Sequence, residues 1–272
     1  CRLADAISEP KTSFELYAAA HDFIDWAQGA GDPVEIPTGL RDLDETLGGW
    51  HRGQFAILAG RPSMGKSACA LASMLRTAGK GFGVLFFSLE MTQQQIVSRA
   101  LADYAYTDPV MAYSDLKPGR VGETQVRRLL DAAEQFKGMP IEIETRNGLT
   151  AGDILARTRK SVEDFKARGQ SLALVVVDHL LKVRPSSRYA GQPVKEIDEV
   201  SEAMCVMAKS LDVAVLGLHQ LNRQVEGRDN QRPVLSDLRG SGSLEQDADV
   251  VLFAYRPAYQ FERQLQEGDK AE

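Results

Sequence analysis

The octapeptide Gly60-Arg61-Pro62-Ser63-Met64-Gly65-Lys66-Ser67 reads GxxxxGKS. It lies between an apolar run, Phe55-Ala56-Ile57-Leu58-Ala59, and the helix-forming stretch Ala68-Cys69-Ala70-Leu71-Ala72. Strand, glycine-bounded loop and helix in that order make a phosphate cradle. The glycines let the backbone curl until successive N–H groups point inward, and the helix starting near Gly65 adds the positive end of its dipole. Lys66 then reaches the β- and γ-phosphates of a nucleoside triphosphate, and the Ser67 hydroxyl sits on Mg²⁺. Gly60, Arg61, Pro62, Ser63, Met64, Gly65, Lys66, Ser67 and Ala68 are therefore the expected contacts of bound ATP.

The rest of the chain fits such a loop into an α/β frame. Gly83 to Ser88 is an apolar strand run followed by a helix over Gln93 to Tyr104, and Glu123 to Phe136 carries Val126, Leu129, Leu130 and Ala133 on one helical face. Ile141 to Ile143 is a short strand, Thr150 to Lys166 a helix, and Leu172 to Val177 the most apolar strand, ending at Asp178. A helix over Val194 to Leu211 and strands over Val213 to Leu218 and Val250 to Phe253 complete the series. Strands alternating with helices predict a mainly parallel sheet covered on both faces. Upstream, Thr12 to Gln28 reads as a helix with an aromatic stripe, and Gly29-Ala30-Gly31-Asp32-Pro33 interrupts it. The expected division is thus a linker helix and connector over 1–33 and one ATPase domain over 34–272.

Composition excludes some classes. With 43% hydrophobic and 26% charged residues among 272, the chain is an ordinary globular protein. No segment approaches the roughly eighteen consecutive apolar residues of a membrane helix, and no signal-peptide pattern opens it, so a cytoplasmic setting without membrane contact is expected. A net charge of −6 argues against a surface coated for nucleic acid, while leaving room for a local basic loop. Three cysteines lack CxxC spacing, and Cys69 and Cys205 fall on apolar helix faces as buried thiols.

Acidic residues stand where nucleotide chemistry needs them. Asp178 closes the apolar strand and would support Mg²⁺ together with Ser67. Glu90 follows the Phe86-Phe87-Ser88 strand end and could polarise an attacking water, and Gln220 could contact the γ-phosphate. Ligand crevices of open parallel sheets lie outside the carboxyl ends of the strands. Gly60, Glu90, Asp178 and His219-Gln220 should therefore meet on one rim.

Several further segments resemble the ATPase domain of DnaB-type replicative helicases. These are Thr38-Gly39-Leu40-Arg41-Asp42-Leu43-Asp44, the phosphate loop, Ser88-Leu89-Glu90-Met91, the strand ending at Asp178, Gln220-Leu221-Asn222-Arg223, and the run from Ser236-Asp237-Leu238-Arg239 through Gly240-Ser241-Gly242-Ser243 to Asp249. The resemblance implies a RecA-like fold, a homohexameric ring with ATP between subunits, and translocation along single-stranded DNA. It assigns catalysis to Lys66, Glu90 and Gln220, and the DNA-gripping channel loop to Arg239, Gly240 and Gly242. It also implies a primase or a helicase loader as partner, through regions outside this chain. Asp178-His179-Leu180-Leu181, Gly240 and Arg256-Pro257-Ala258-Tyr259 depart from the family pattern. Because the chain stops at Glu272, the family's later strand with its trans-acting basic residues is expected to be cut off. Two other readings remain at this point: a RecA- or RadA-like recombinase, and a nucleotide-gated loader that unwinds nothing.

Overall fold

The computed structural model describes residues 15–17, 20, 21, 24, 35–106, 112–116, 121–222, 228, 231–238 and 243–259. Most of the segment 1–33 lies outside them, and so does most of the helix expected over Thr12 to Gln28. Leu16, Tyr17, Ala20, His21 and Ile24 are helical.

Six strands form one sheet: β1 (Phe55–Gly60), β2 (Gly83–Ser88), β3 (Ile141–Glu144), β4 (Leu172–Asp178), β5 (Ala214–Gln220) and β6 (Val250–Phe253), in the order β3-β2-β4-β5-β1-β6. Every pairing is parallel. The helices are α1 (Arg41–Leu47), α2 (Lys66–Gly79), α3 (Gln93–Tyr104), α4 (Glu123–Gln135), α5 (Ala151–Ala167), α6 (Pro193–Leu211) and α7 (Leu244–Asp247). Parallel strands need crossovers, and crossover helices cover both faces. Accordingly β1, β2 and β4 are buried at every position.

The two faces carry two cores. Phe55, Ile57, Leu85, Phe87, Val175, Val177 and Val215 point toward α5 and α6, meeting Ile154, Phe165, Val200, Met204 and Met207. Ala56, Leu58, Val84, Phe86, Val176 and Leu216 point the other way, toward Leu71, Met74 and Leu75 of α2 and Ile96 of α3. Alternation slips once. Ala173 and Leu174 share a face, where the β2–β4 register shifts between Gly83 and Val84. A bulge of this kind places two residues of one strand opposite one of its neighbour.

Local chemistry fixes the helix starts. Thr92 and Gln95 cap α3 reciprocally, and Thr150 with Asp153 does the same for α5. The Thr38-to-Asp44 segment is fastened into the packing: Thr38 N donates to Asp44 Oδ1 at 2.7 Å, and Thr77 of α2 donates to the Pro37 carbonyl at 2.7 Å.

Two expectations are corrected. The apolar face of α4 looks largely outward, with Val126 and Leu130 exposed; only its Leu129 and Ala132 side packs, against Leu101 and Ala105. Cys69 and Cys205 are free and half-buried rather than buried. The Cys205 thiol donates to the Asp247 carbonyl, and burial pushes it up to about 11.

Two measurements check this packing. An alanine Cβ at Gly217 would lie 2.9 Å from a Leu180 methyl and 3.0 Å from the Phe55 ring. Gly217→Ala should therefore destabilise the fold by about 1–3 kcal/mol in guanidinium unfolding. His219 is 3% exposed, and burial first, then the charges of His179 and Lys66, pushes its imidazole down to about 4 from 6.5. A lowered histidine stays neutral in the folded state while the unfolded chain takes up a proton. Stability is thus intact above about 6.5 and is lost as pH falls through about 4, by on the order of 3 kcal/mol in full. His219→Gln should lack this loss. Urea unfolding at pH 7 and pH 4.5 should show the variant gaining on wild type by about 2 kcal/mol as pH falls.

Candidate active site

Strand register brings the rim together. Gly60 pairs with Gln220 across β1 and β5, and Ser88 with Asp178 across β2 and β4; because Val177 pairs with Gly217, β1 and β5 run two residues further than β2 and β4 at the same edge. From that edge three turns rise: the phosphate loop, the Leu89–Met91 turn and the Asp178–Lys182 turn.

Gly60 must be glycine, because a Cβ there would stand 2.7 Å from the Ala254 carbonyl. Ser63 and Gly65 take left-handed φ values of 64° and 94°. Such backbone is uncommon for serine and is held by its surroundings. Lys66 folds back so that Nζ donates to the carbonyls of Gly60 at 2.8 Å and Arg61 at 3.0 Å. Burial pushes its pKa down, against the opposing pull of Asp178 and Glu90. Arg61 turns away from the loop and donates to the Leu221 carbonyl at 2.8 Å, tying the loop to the segment that leaves β5.

Asp178 is 2% exposed. Burial pushes its carboxyl pKa up; the Ser67 hydroxyl bonded to it pulls down, and Glu90 pushes up. Oδ2 of this buried carboxylate has no hydrogen-bond partner among the described residues. A hydroxyl and an orphaned carboxylate oxygen, side by side at the start of α2, are the hard oxygen donors that suit Mg²⁺, which takes few protein ligands and keeps water or phosphate for the rest.

Glu90 sits half-exposed in the turn between β2 and α3. The turn is held from both sides: Leu89 N donates to the Asp178 carbonyl at 2.8 Å, and Ser88 Oγ to the Met91 carbonyl at 3.2 Å. Pro62, Ser63, Gly65, Lys66, Ser67, Ala68, Glu90, Asp178 and Gln220 share a cleft of about 380 Å³. The expected convergence is present, with one exception. His219 alternates inward from Gln220 and is buried, so Gln220 alone of that pair faces the cleft.

Three cleft residues were not among the expected contacts: Met91 and His179, named above only as motif positions, and Arg99. Arg99 comes from α3 with its guanidinium 4.7 Å from the Tyr113 ring and its Nε buried without a hydrogen-bond partner among the described residues. Ile96 and Ala100, buried against the α2 side of the core, set the helix phase that turns position 99 toward the loop.

Arg239, Gly240 and Gly242 lie outside the described residues. Their flanks are firmly seated. Leu238 and Leu244 are fully buried, Asp198 of α6 accepts from Ser243 N at 2.8 Å, and Asp237 accepts from Arg228 at 2.6 Å and from Val234 N at 2.8 Å. Asp249, at the end of the same motif, belongs to the framework, because it accepts from Phe55 N at 2.8 Å and donates its own N–H to the Phe55 carbonyl at 2.9 Å.

Comparison with known proteins agrees with this geometry. The DnaB-like helicase C-terminal domain family matches residues 35–272. The replicative DNA helicase DnaB of Rickettsia bellii (strain RML369-C) is 37% identical over 241 residues, covering 85% of this chain and 46% of that protein. Its Geobacillus stearothermophilus namesake is 35% identical over 230 residues, covering 84% and 49%. The chain thus spans about half the length of these relatives. Among solved structures, a DnaB-like replicative helicase described with its interactions with primase superposes at a TM-score of 0.81 with 31% identity, covering 90% of this chain and 58% of that one. A second solved structure, an ATPase domain, superposes at 0.80 with 31% identity, covering 89% and 84%. The six-stranded parallel sheet is that of a RecA-like fold, and the chain belongs to the family of DnaB-like helicase C-terminal domains.

Proposed function

We propose that this chain is the ATP-hydrolysing motor of a replicative DNA helicase, working as a homohexameric ring that moves along single-stranded DNA. One observation carries the reading: the phosphate loop, a buried carboxylate with an orphaned oxygen, a half-exposed carboxylate and a rim glutamine open into a single cleft. The family to which the chain belongs favours a helicase over a recombinase or a loader.

Backbone N–H groups of the Gly60–Ala68 loop, apart from Pro62 which has none, cradle the phosphates, and the Lys66 ammonium exchanges its loop carbonyls for phosphate oxygens. Ser67 and Asp178 hold Mg²⁺, which when bound neutralises phosphate charge. Glu90 accepts a proton from a water whose oxygen bonds to the γ-phosphorus; the bond from that phosphorus to the bridging β-oxygen breaks, leaving ADP and phosphate. Gln220 touches the γ-phosphate and reports its loss to the segment that follows β5. Arg239 and the backbone N–H groups of Gly240 and Gly242 grip DNA phosphates without reading sequence.

Three variants separate these roles. Lys66→Ala should abolish nucleotide binding, measured with a fluorescent ATP analogue. Glu90→Gln should keep binding while its DNA-stimulated hydrolysis falls by about 10²–10⁴. Equal loss of nucleotide affinity in both would overturn the role of Glu90. Arg239→Ala should weaken binding to poly-dT and to mixed-sequence single strands alike and flatten the salt dependence, by roughly 0.7 in the slope of log K against log salt for each phosphate no longer gripped. An unchanged slope in fluorescence anisotropy would remove this loop from the DNA interface.

A further inference from the structure

His179 follows the metal-side carboxylate directly, and its backbone is locked. Its neighbour Leu180 is fully buried over Gly217, where no Cβ fits beneath the leucine methyls. Lys182 N donates to the His179 carbonyl at 2.9 Å, closing a 3₁₀ turn over Leu180–Lys182. The bond from Leu89 N to the Asp178 carbonyl then fixes this turn against the one that carries Glu90. The two side chains differ sharply in freedom. His179 is 8% exposed, whereas Glu90 is 55% exposed, and Nε2 of the histidine lies 3.5 Å from Oε2 of the glutamate.

A glutamate that activates water needs one oxygen aimed at that water. Three rotatable bonds and half-exposure leave the carboxylate poorly aimed unless something holds it. Among the described residues, His179 is the side chain within ion-pair distance of it. The imidazole has two nitrogens, and its Nδ1 is buried with no hydrogen-bond partner among the described residues. A proton on Nδ1 would be stranded there, whereas a proton on Nε2 has the Glu90 carboxylate as acceptor. A separation of 3.5 Å is long for a hydrogen bond, and pairs of this kind tighten in the reacting complex.

We propose that His179 is a positioning residue for Glu90: its Nε2–H holds one carboxylate oxygen so that the other faces the attacking water. The inference rests on the reading of Glu90 as the water-activating base. His179 itself transfers no proton in the reaction. Its contribution is to restrict where the base can point, so its loss should slow chemistry and spare nucleotide binding.

The test is steady-state ATP hydrolysis with saturating poly-dT, alongside binding of a fluorescent non-hydrolysable ATP analogue. The variants are Glu90→Gln, His179→Phe, His179→Gln and the pair Glu90→Gln/His179→Phe. Phenylalanine keeps a ring and removes the donor; glutamine keeps an N–H at similar reach. His179→Phe should lower kcat by about tenfold to 10²-fold. KM for ATP and analogue affinity should stay within about twofold of wild type. His179→Gln should recover most of the rate, and the pair should hydrolyse no more slowly than Glu90→Gln alone. Wild-type kcat in His179→Phe beside a disabled Glu90→Gln overturns the inference and leaves the proposed function standing. The inference falls equally if His179→Phe loses nucleotide affinity in step with rate, or slows the Glu90→Gln enzyme by the factor seen in wild type. A Glu90→Gln variant at the wild-type rate instead overturns the reading of Glu90, and the inference with it. If His179→Phe does not fold, His179→Ala is judged by the same criteria.

Discussion

Register between parallel neighbours is the constraint on which the rest of the molecule depends. A strand buried on both faces has no solvent side to slide toward, and a slip of one residue would exchange its two cores. Phe55, Ile57 and Val215 on one face, and Ala56, Leu58 and Leu216 on the other, therefore set where β1 and β5 end. That choice, made by aliphatic packing far from any ligand, puts Gly60 level with Gln220, while the same logic in β2 and β4 puts Ser88 level with Asp178. The chemistry of the cleft is thus inherited from the core.

Much of this was legible because the features are local. GxxxxGKS needs only its own backbone to curl, and apolar runs such as Leu172 to Val177 announce a strand whatever their neighbours do. Asp178 and Glu90 could be placed because strand ends are visible in sequence and parallel sheets bring them to one edge. What stayed hidden depends on phase and on partners. His219 and Gln220 are adjacent, and only the pleat decides which of them faces the cleft. Arg99 enters through a helix whose rotation is set by the burial of Ile96 and Ala100. The outward face of α4 looked like a core stripe, since periodicity shows that a helix is amphipathic and not what lies against it.

Motif residues also proved to be of two kinds. Asp44 and Thr38 secure the approach to α1, and Asp249 pins the start of β1, so part of what identifies the family is framework. Family resemblance alone could not separate these from residues that touch a ligand. Hydrogen-bond partners could: a carboxylate satisfied by a backbone N–H, as at Asp249, has that capacity spoken for, whereas Asp178 keeps an oxygen in reserve.

The two buried leucines at positions 238 and 244 set a limit of a different sort. Six Cα steps join them, and a chain spans at most about 3.5 Å per residue, so the segment between has a contour of about 20 Å. Its two described ends are bound to the face of the sheet that α6 covers, through two buried aliphatic side chains and the Asp198 carboxylate.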